Sequence, residues 1–197
     1  MMKIKIKNTR LIFLYRSIFF KFKFINFYTN NKELKTIVNA LNIKSRKKRI
    51  EYVYEESIKF LNLYYKDDLC KFEGNKCIVQ RKTNSNWING CCMTCPLVTE
   101  KGCPSSNITC KLIYCNEAKK NIKLLKVSDI KILKCLSILQ RMLILAATFS
   151  TKEEAINDAY YGPIYAAFRN LKRQIKVDFN KFKFNHRRKK WIFFILF

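Results

Sequence analysis

Two segments in the first third of the chain carry apolar residues at helical spacing. The spacing predicts helices over Lys32–Ile43 and Arg46–Lys66, with Ser45 as the N-cap of the second. One face of the second helix carries Ile50, Tyr54, Ile58, Leu61 and Tyr65. That face must pack on another element. On the opposite, exposed side, Glu55 and Lys59 are expected to pair across one helical turn.

Helical spacing returns after residue 127. Ser128 is expected to cap a helix that contains most of Ile130–Phe149, and this helix is interpreted as the central core helix. Its core stripe is formed by Ile132, Leu136, Leu139, Leu143 and Ala146. Cys135 lies beside the stripe, so we expect it to be a small buried hydrophobic residue and not a metal ligand.

A helical hairpin is predicted over residues 151–175. Thr151 and Glu154 form a capping box before the helix Ala155–Tyr161, and Gly162-Pro163 ends that helix and begins another. The second helix carries Ile164, Phe168, Leu171 and Ile175 on one face.

Between these helical regions, residues 67–117 (the cysteine segment) are rich in turn-forming residues and poor in large apolar ones. Burial cannot offset the backbone entropy of roughly fifty such residues, so the segment needs cross-links. Eight of the nine cysteines of the chain lie here: Cys70, Cys77, Cys91, Cys92, Cys95, Cys103, Cys110 and Cys115. Metal binding is therefore the first hypothesis for this segment.

The spacing of these cysteines favours zinc. Cys92 and Cys95 form a C-x-x-C turn that can direct two thiolates at one tetrahedral ion, and eight sulfurs provide two four-thiolate sites, or one site with spare thiols. The single histidine, His186, lies far from the cluster, which favours a structural ion over a catalytic one. An iron site or iron–sulfur cluster, disulfides, and free thiols all remain open as alternatives.

Gly90-Cys91-Cys92, followed by Cys110-Lys111-Leu112 and Cys115, resembles the uncharacterised bacterial cysteine-cluster proteins, including those described as candidate chelators of zinc or iron. The resemblance covers at most residues 46–150. Thirteen residues separate Cys77 from Cys91, whereas further closely spaced cysteines precede the double cysteine in the better-known chelating pattern. The resemblance implies metal chelation without a known reaction.

The chain carries a formal net charge of +26, of which residues 1–30 contribute +7 and residues 176–197 contribute +6. Such a charge attracts nucleic acid or an anionic surface through the two basic tails. An alternative explanation of the positive charge is the base composition of the genome, because Lys, Ile, Asn, Phe and Tyr are abundant while Gly and Pro are scarce. Both tails are expected to have low order.

Several features bear on location. The apolar run Leu11–Phe20 resembles a secretory signal, but Arg16 interrupts it and no small-residue cleavage site follows, so a cytoplasmic protein is expected. No segment reaches the apolar length of a membrane-spanning helix. The apolar end Trp191–Phe197 leaves association with a membrane surface open, and export is the remaining alternative.

Together these features predict a mainly α-helical domain over residues 31–175, with an irregular, metal-stapled cysteine-rich insertion and tails at 1–30 and 176–197. Phosphate-binding glycine loops and H-E-x-x-H are absent from the sequence, so catalysis has no motif to support it. The leading interpretation is a structural zinc protein of unknown cellular role. An iron–sulfur or thiol redox protein and a disulfide-stapled surface protein are the alternatives.

Overall fold

The computed structural model describes residues 2–21, 24–65, 73, 81–82, 107–113, 122–148 and 150–175. Two short strands pair in one sheet: β1 (Met2–Lys5) and β2 (Ile25–Tyr28). The α-helices are α1 (Ile12–Lys21), α2 (Lys35–Asn42), α3 (Arg46–Tyr64), α4 (Ile108–Leu112), α5 (Ile138–Ala146), α6 (Lys152–Tyr161) and α7 (residues 163–175). Short 3-10 helices span Lys32–Leu34, Val127–Asp129 and Lys131–Cys135.

The mainly helical fold class is thus confirmed for the described part of the chain. Most of the cysteine segment and all of residues 176–197 lie outside the described residues, so the cysteine-rich insertion and the three-part division of the chain remain predictions. Among the described residues, no helix has the length and apolar character needed to cross a bilayer.

The first thirty residues contain ordered elements where low order was expected. β1 and β2 pair in parallel, with Met2 opposite Ile25, and α1 makes the crossover that a parallel pair requires. Ile6, Ile12, Ile25 and Phe27 are buried in the core. The Asn42 side chain extends the pairing, because it bonds both the N–H and the C=O of Phe27 at 2.8 Å. Alternation in β2 places its apolar side chains on α2, and this burial stabilises the N-terminal region.

The predictions for α2 and α3 are confirmed. The first turn of the earlier helix is 3-10, and the Ser45 hydroxyl caps α3 by accepting from the Lys48 N–H. The predicted face of α3 is buried at four positions and half-buried at Ile58. The predicted Glu55–Lys59 pair is wrong, because Lys59 contacts Glu56 at 2.6 Å while Glu55 contacts Lys152 of α6.

The single helix predicted after Ser128 is wrong in its first half. Two 3-10 helices cover residues 127–135, Leu136 is extended, and α5 begins only after Ser137, whose capping box with Gln140 fixes the start. This break rotates the buried face of α5, so that Gln140 and Ile144 are buried while Leu139 is 48% exposed. Residues 131–135 instead pack among α1, α2 and α3.

The helical hairpin at 151–175 is confirmed, with its capping box and with Gly162 at a φ of 100° between the two helices. Arg169 donates two hydrogen bonds, of 2.9 and 2.5 Å, to the buried carboxylate of Asp158. Arg173 reaches Glu154 one turn further along. These contacts fold α7 back along α6. They turn the face with Ile164, Phe168, Leu171 and Ile175 outward, where each side chain is more than half exposed.

Candidate metal centre

Adjacent tyrosines at the end of α3 join the two stretches of chain that flank the cysteine segment. The Tyr64 hydroxyl donates to the Lys123 carbonyl at 3.1 Å, and the Tyr65 hydroxyl accepts from the Leu125 N–H at 3.0 Å. The two rings pack edge to face with centroids 5.0 Å apart. The chain therefore leaves the helical core and returns to it at nearly the same place.

A third attachment lies inside the segment, at α4. Asn107 caps this short helix, since its Oδ1 accepts from the Thr109 N–H at 2.8 Å. Its Nδ2 donates to the carbonyls of Ala147 and Ser150, at 2.5 and 3.1 Å. The Thr109 hydroxyl lies 3.2 Å from the carbonyl of Ile144 and 3.0 Å from that of Leu145. The side chains of Asn107 and Thr109 thus bond backbone carbonyls at, and just beyond, the C-terminal end of α5.

Cys110 is the one predicted ligand that the structure describes. It lies on α4, is half-buried, and forms no disulfide. On the α3 side it lies beside the buried ring of Tyr54. Burial raises the pKa of Tyr54 to about 12, opposed by a hydrogen bond with the Ile108 backbone and reinforced by the nearby Cys110 sulfur. The Tyr54 hydroxyl is therefore neutral at physiological pH.

The other seven predicted ligands, Cys70, Cys77, Cys91, Cys92, Cys95, Cys103 and Cys115, lie outside the described residues. No group of three or more His, Cys, Asp or Glu side chains comes together among the residues that are described. The segment also contains an ion pair between Arg81 and Glu73. At Cys110, the donor chemistry fits a thiolate-bound metal, because a half-buried cysteine without a disulfide can supply a sulfur ligand.

Cys135 confirms the prediction that it is a buried hydrophobic residue. It is fully buried, its Sγ lies 3.8 Å from the Ile37 carbonyl, and burial raises its pKa to about 12 against the influence of Arg49 and Arg16. With this raised pKa the side chain stays a neutral thiol at physiological pH, whereas the thiolate is the form that binds a metal ion.

Sequence reasoning missed the two arginines that surround Cys135. Arg16 donates to the carbonyl of Leu136, and Arg49 donates to the carbonyl of Ile43 at 3.0 Å. Burial lowers the pKa of both guanidinium groups, and neighbouring arginines add to the effect. For Arg16 the available signal was its position inside the apolar run Leu11–Phe20, because a charged side chain that becomes buried needs an internal acceptor.

Asn107 and Thr109 were also missed as anchoring residues. Their partners are 35 to 43 residues away in sequence, so no local pattern identifies them.

No protein-family model, no curated protein and no solved structure matches this chain.

Proposed function

We propose that this chain is a cysteine-cluster protein that binds a structural metal ion, zinc in the first instance, in the cysteine segment. The observation that supports the proposal is the three-point attachment of that segment to the helical core. Tyr64 and Tyr65 join the stretches that flank it, and α4 holds Cys110 against α3 and α5.

Attachment lowers the entropic cost of assembling a site. Closing a flexible loop of roughly fifty residues costs about 3 kcal/mol by the logarithmic dependence on length. The two tyrosine contacts bring the flanks of this loop together, one through an exposed and one through a partly buried hydrogen bond. A metal ion then needs to order only the residues between the fixed points, which raises its affinity relative to a free peptide.

The fixed position of Cys110 supports the same function. Asn107, Ile108 and Thr109 on the preceding turn are all buried, whereas Cys110 itself is half-buried. A ligand that projects from an element locked by buried hydrogen bonds has little rotational freedom to lose. The zinc assignment comes from the eight sulfurs, and the single histidine favours a structural over a catalytic ion. The cysteine spacing argues against an iron–sulfur cluster, because C-x-x-C occurs once and neither familiar ferredoxin pattern is present.

Elemental analysis combined with a thiol titration of the denatured protein tests the proposal. We expect bound zinc and nine titratable thiols after metal removal. Iron with sulfide and a brown colour would establish the iron–sulfur alternative instead. A thiol count that falls short of nine by an even number would establish disulfides, because each disulfide removes two thiols. If a chelator left the circular dichroism and the protease resistance unchanged, no metal would be structural here.

A basic surface supports nucleic acid or an anionic surface as partner. Lys3 and Lys5 are exposed on β1, and Arg46, Lys47 and Lys48 are exposed at the start of α3. Because Ile6, Ile12, Ile25 and Phe27 belong to the core, deleting residues 1–30 would also disturb the fold, so substitutions of exposed lysines test the N-terminal region instead. The double variant Lys3→Gln with Lys5→Gln removes two positive charges. We expect it to make the negative slope of log affinity for nucleic acid against log salt concentration shallower by about 2. An unchanged slope would exclude β1 from the contact.

A further inference from the structure

A groove of about 640 Å³ lies on the helical core, outside the cysteine segment. Its walls are formed by residues 33–37, by the last turns of α3, and by residues 129–132. The floor is apolar: Ile37, Ile130 and Ile132 are buried, and Phe60 and Leu63 stand at the edge with 39% and 75% of their surface exposed. This volume lies within the range of small-molecule sites, about 300–1,000 Å³.

The charge at the rim of the groove has the opposite sign to that of the chain. Glu56 and Lys59 neutralise each other at 2.6 Å. Of the other charged lining residues, Glu33 and Asp129 outnumber Lys131, so the rim carries a net charge of −1 on a protein of +26. The Glu33 carboxylate makes no ion pair with any other described residue, whereas Asp129 accepts the Lys126 N–H at 2.8 Å.

We propose that this groove binds a small organic cation, with an apolar body on the isoleucine floor and a protonated amine at the rim beside Glu33 and Asp129. Apolar burial supplies most of the affinity, and the carboxylates select the sign of the head group. An anionic ligand of the same shape gains nothing at this rim, although the net charge of the protein attracts it from a distance.

Three probes with one apolar body, a phenyl ring with four methylenes, separate these effects: 4-phenylbutylamine, 4-phenylbutanol and 5-phenylpentanoate. At a salt concentration of about 0.15 M, charges beyond about 8 Å are largely screened, so the rim dominates over remote lysines. Titrations followed by the methyl resonances of Ile37 and Ile132 report binding in the groove itself. We expect the amine to bind about three- to tenfold more tightly than the carboxylate, with the alcohol between them.

Two variants separate the contribution of the rim charge to binding from that of apolar contact. Glu33→Gln removes the charge and keeps the shape, so it should weaken the amine about two- to fivefold and leave the alcohol unchanged. Leu63→Ser is tolerated by the fold because Leu63 is exposed, and it should weaken all three probes alike. The matched control is Glu153→Gln, an acidic residue in the first turn of α6 that does not line the groove.

Each unfavourable outcome overturns the proposal. If the carboxylate binds as tightly as the amine, the rim does not select cations. If Leu63→Ser leaves all three affinities unchanged, or if the Ile37 and Ile132 methyl groups do not shift, the probes bind elsewhere. If Glu153→Gln weakens the amine as much as Glu33→Gln does, the preference arises from overall charge.

Discussion

Two cysteines of this chain lie on short helical elements that contact α3, and their surroundings differ in the property that controls metal binding. Cys110 on α4 is half-buried, whereas Cys135 at the end of its 3-10 helix is fully buried beside Arg16 and Arg49. Burial raises the pKa of Cys135 even though two guanidinium groups favour its thiolate. Desolvation therefore outweighs neighbouring positive charge at Cys135, while Cys110 remains accessible as a ligand.

The largest contrast is expected in thiol reactivity. In metal-free protein, iodoacetamide should modify Cys110 at least about a thousandfold faster than Cys135, because Cys135 reacts only when the core opens. Peptide mass spectrometry measures both rates in one sample. Raising the pH from 7 to 9 should leave Cys135 unreactive, since its pKa is about 12. Comparable rates at the two cysteines would contradict the burial of Cys135.

Asn107→Ala should be a strongly destabilising substitution near Cys110. It removes the cap of α4 and leaves the carbonyls of Ala147 and Ser150 without their donor, at a cost of about 2–4 kcal/mol in the free energy of unfolding. Urea denaturation measures the loss. Asn107→Asp is a second variant: it keeps the capping oxygen but places a carboxylate oxygen against two carbonyls at a fully buried position, so it should cost at least as much as Asn107→Ala. Equal stability of Asn107→Ala and the parent protein would show that α4 is not anchored through this side chain.

Alkaline pH should destabilise the fold through buried acids. The pKa values of Cys135 and Tyr54 are raised from 9.0 and 10.0 to about 12 in the folded state. Since both raised values favour the neutral form, their contribution is present below pH 9 and is lost as the pH rises towards 12. Urea denaturation at pH 8, 10 and 11.5 measures this fall. Cys135→Ala should make the fall shallower, and an unchanged slope would exclude Cys135 as a cause.

The smallest effect is expected for Cys110→Ser in metal-free protein. The substitution at a half-buried position should change the free energy of unfolding by less than about 0.5 kcal/mol, whereas Cys135→Ser should cost about 1–3 kcal/mol by burying a hydroxyl. Thermal and urea unfolding of the two variants measure the difference. A large loss in the free energy of unfolding for Cys110→Ser would show that Cys110 is a core residue like Cys135.

Sequence patterns predicted those parts of the fold that local contacts decide. Ser45 and the Thr151–Glu154 box act within a few residues of each other, so their caps are confirmed. The break before Ser137 depends on packing of residues 131–135 against three other helices, and both Ser128 and Ser137 are suitable caps. Spacing also put Ile164 and Phe168 on one face, but this face points outward because Arg169 pairs with Asp158 and Arg173 with Glu154.

The candidate site was less predictable than the fold. The cysteine spacing indicates sulfur chemistry, yet the contacts that hold the segment join residues 35 to 60 positions apart, such as Thr109 with Ile144 and Tyr65 with Leu125. A tyrosine hydroxyl or an asparagine amide at such positions has no distinctive sequence pattern. Long-range side-chain contacts to backbone atoms therefore had to be seen in three dimensions.

The most direct test of the metal-binding account is the zinc content per chain of Cys110→Ser and Cys135→Ala, measured by elemental analysis beside the parent protein. The two variants each remove one thiol, one from the cysteine segment and one from the core. The account predicts that Cys110→Ser loses bound zinc while Cys135→Ala retains the parental amount. Equal zinc in all three proteins, or loss only in Cys135→Ala, would contradict it.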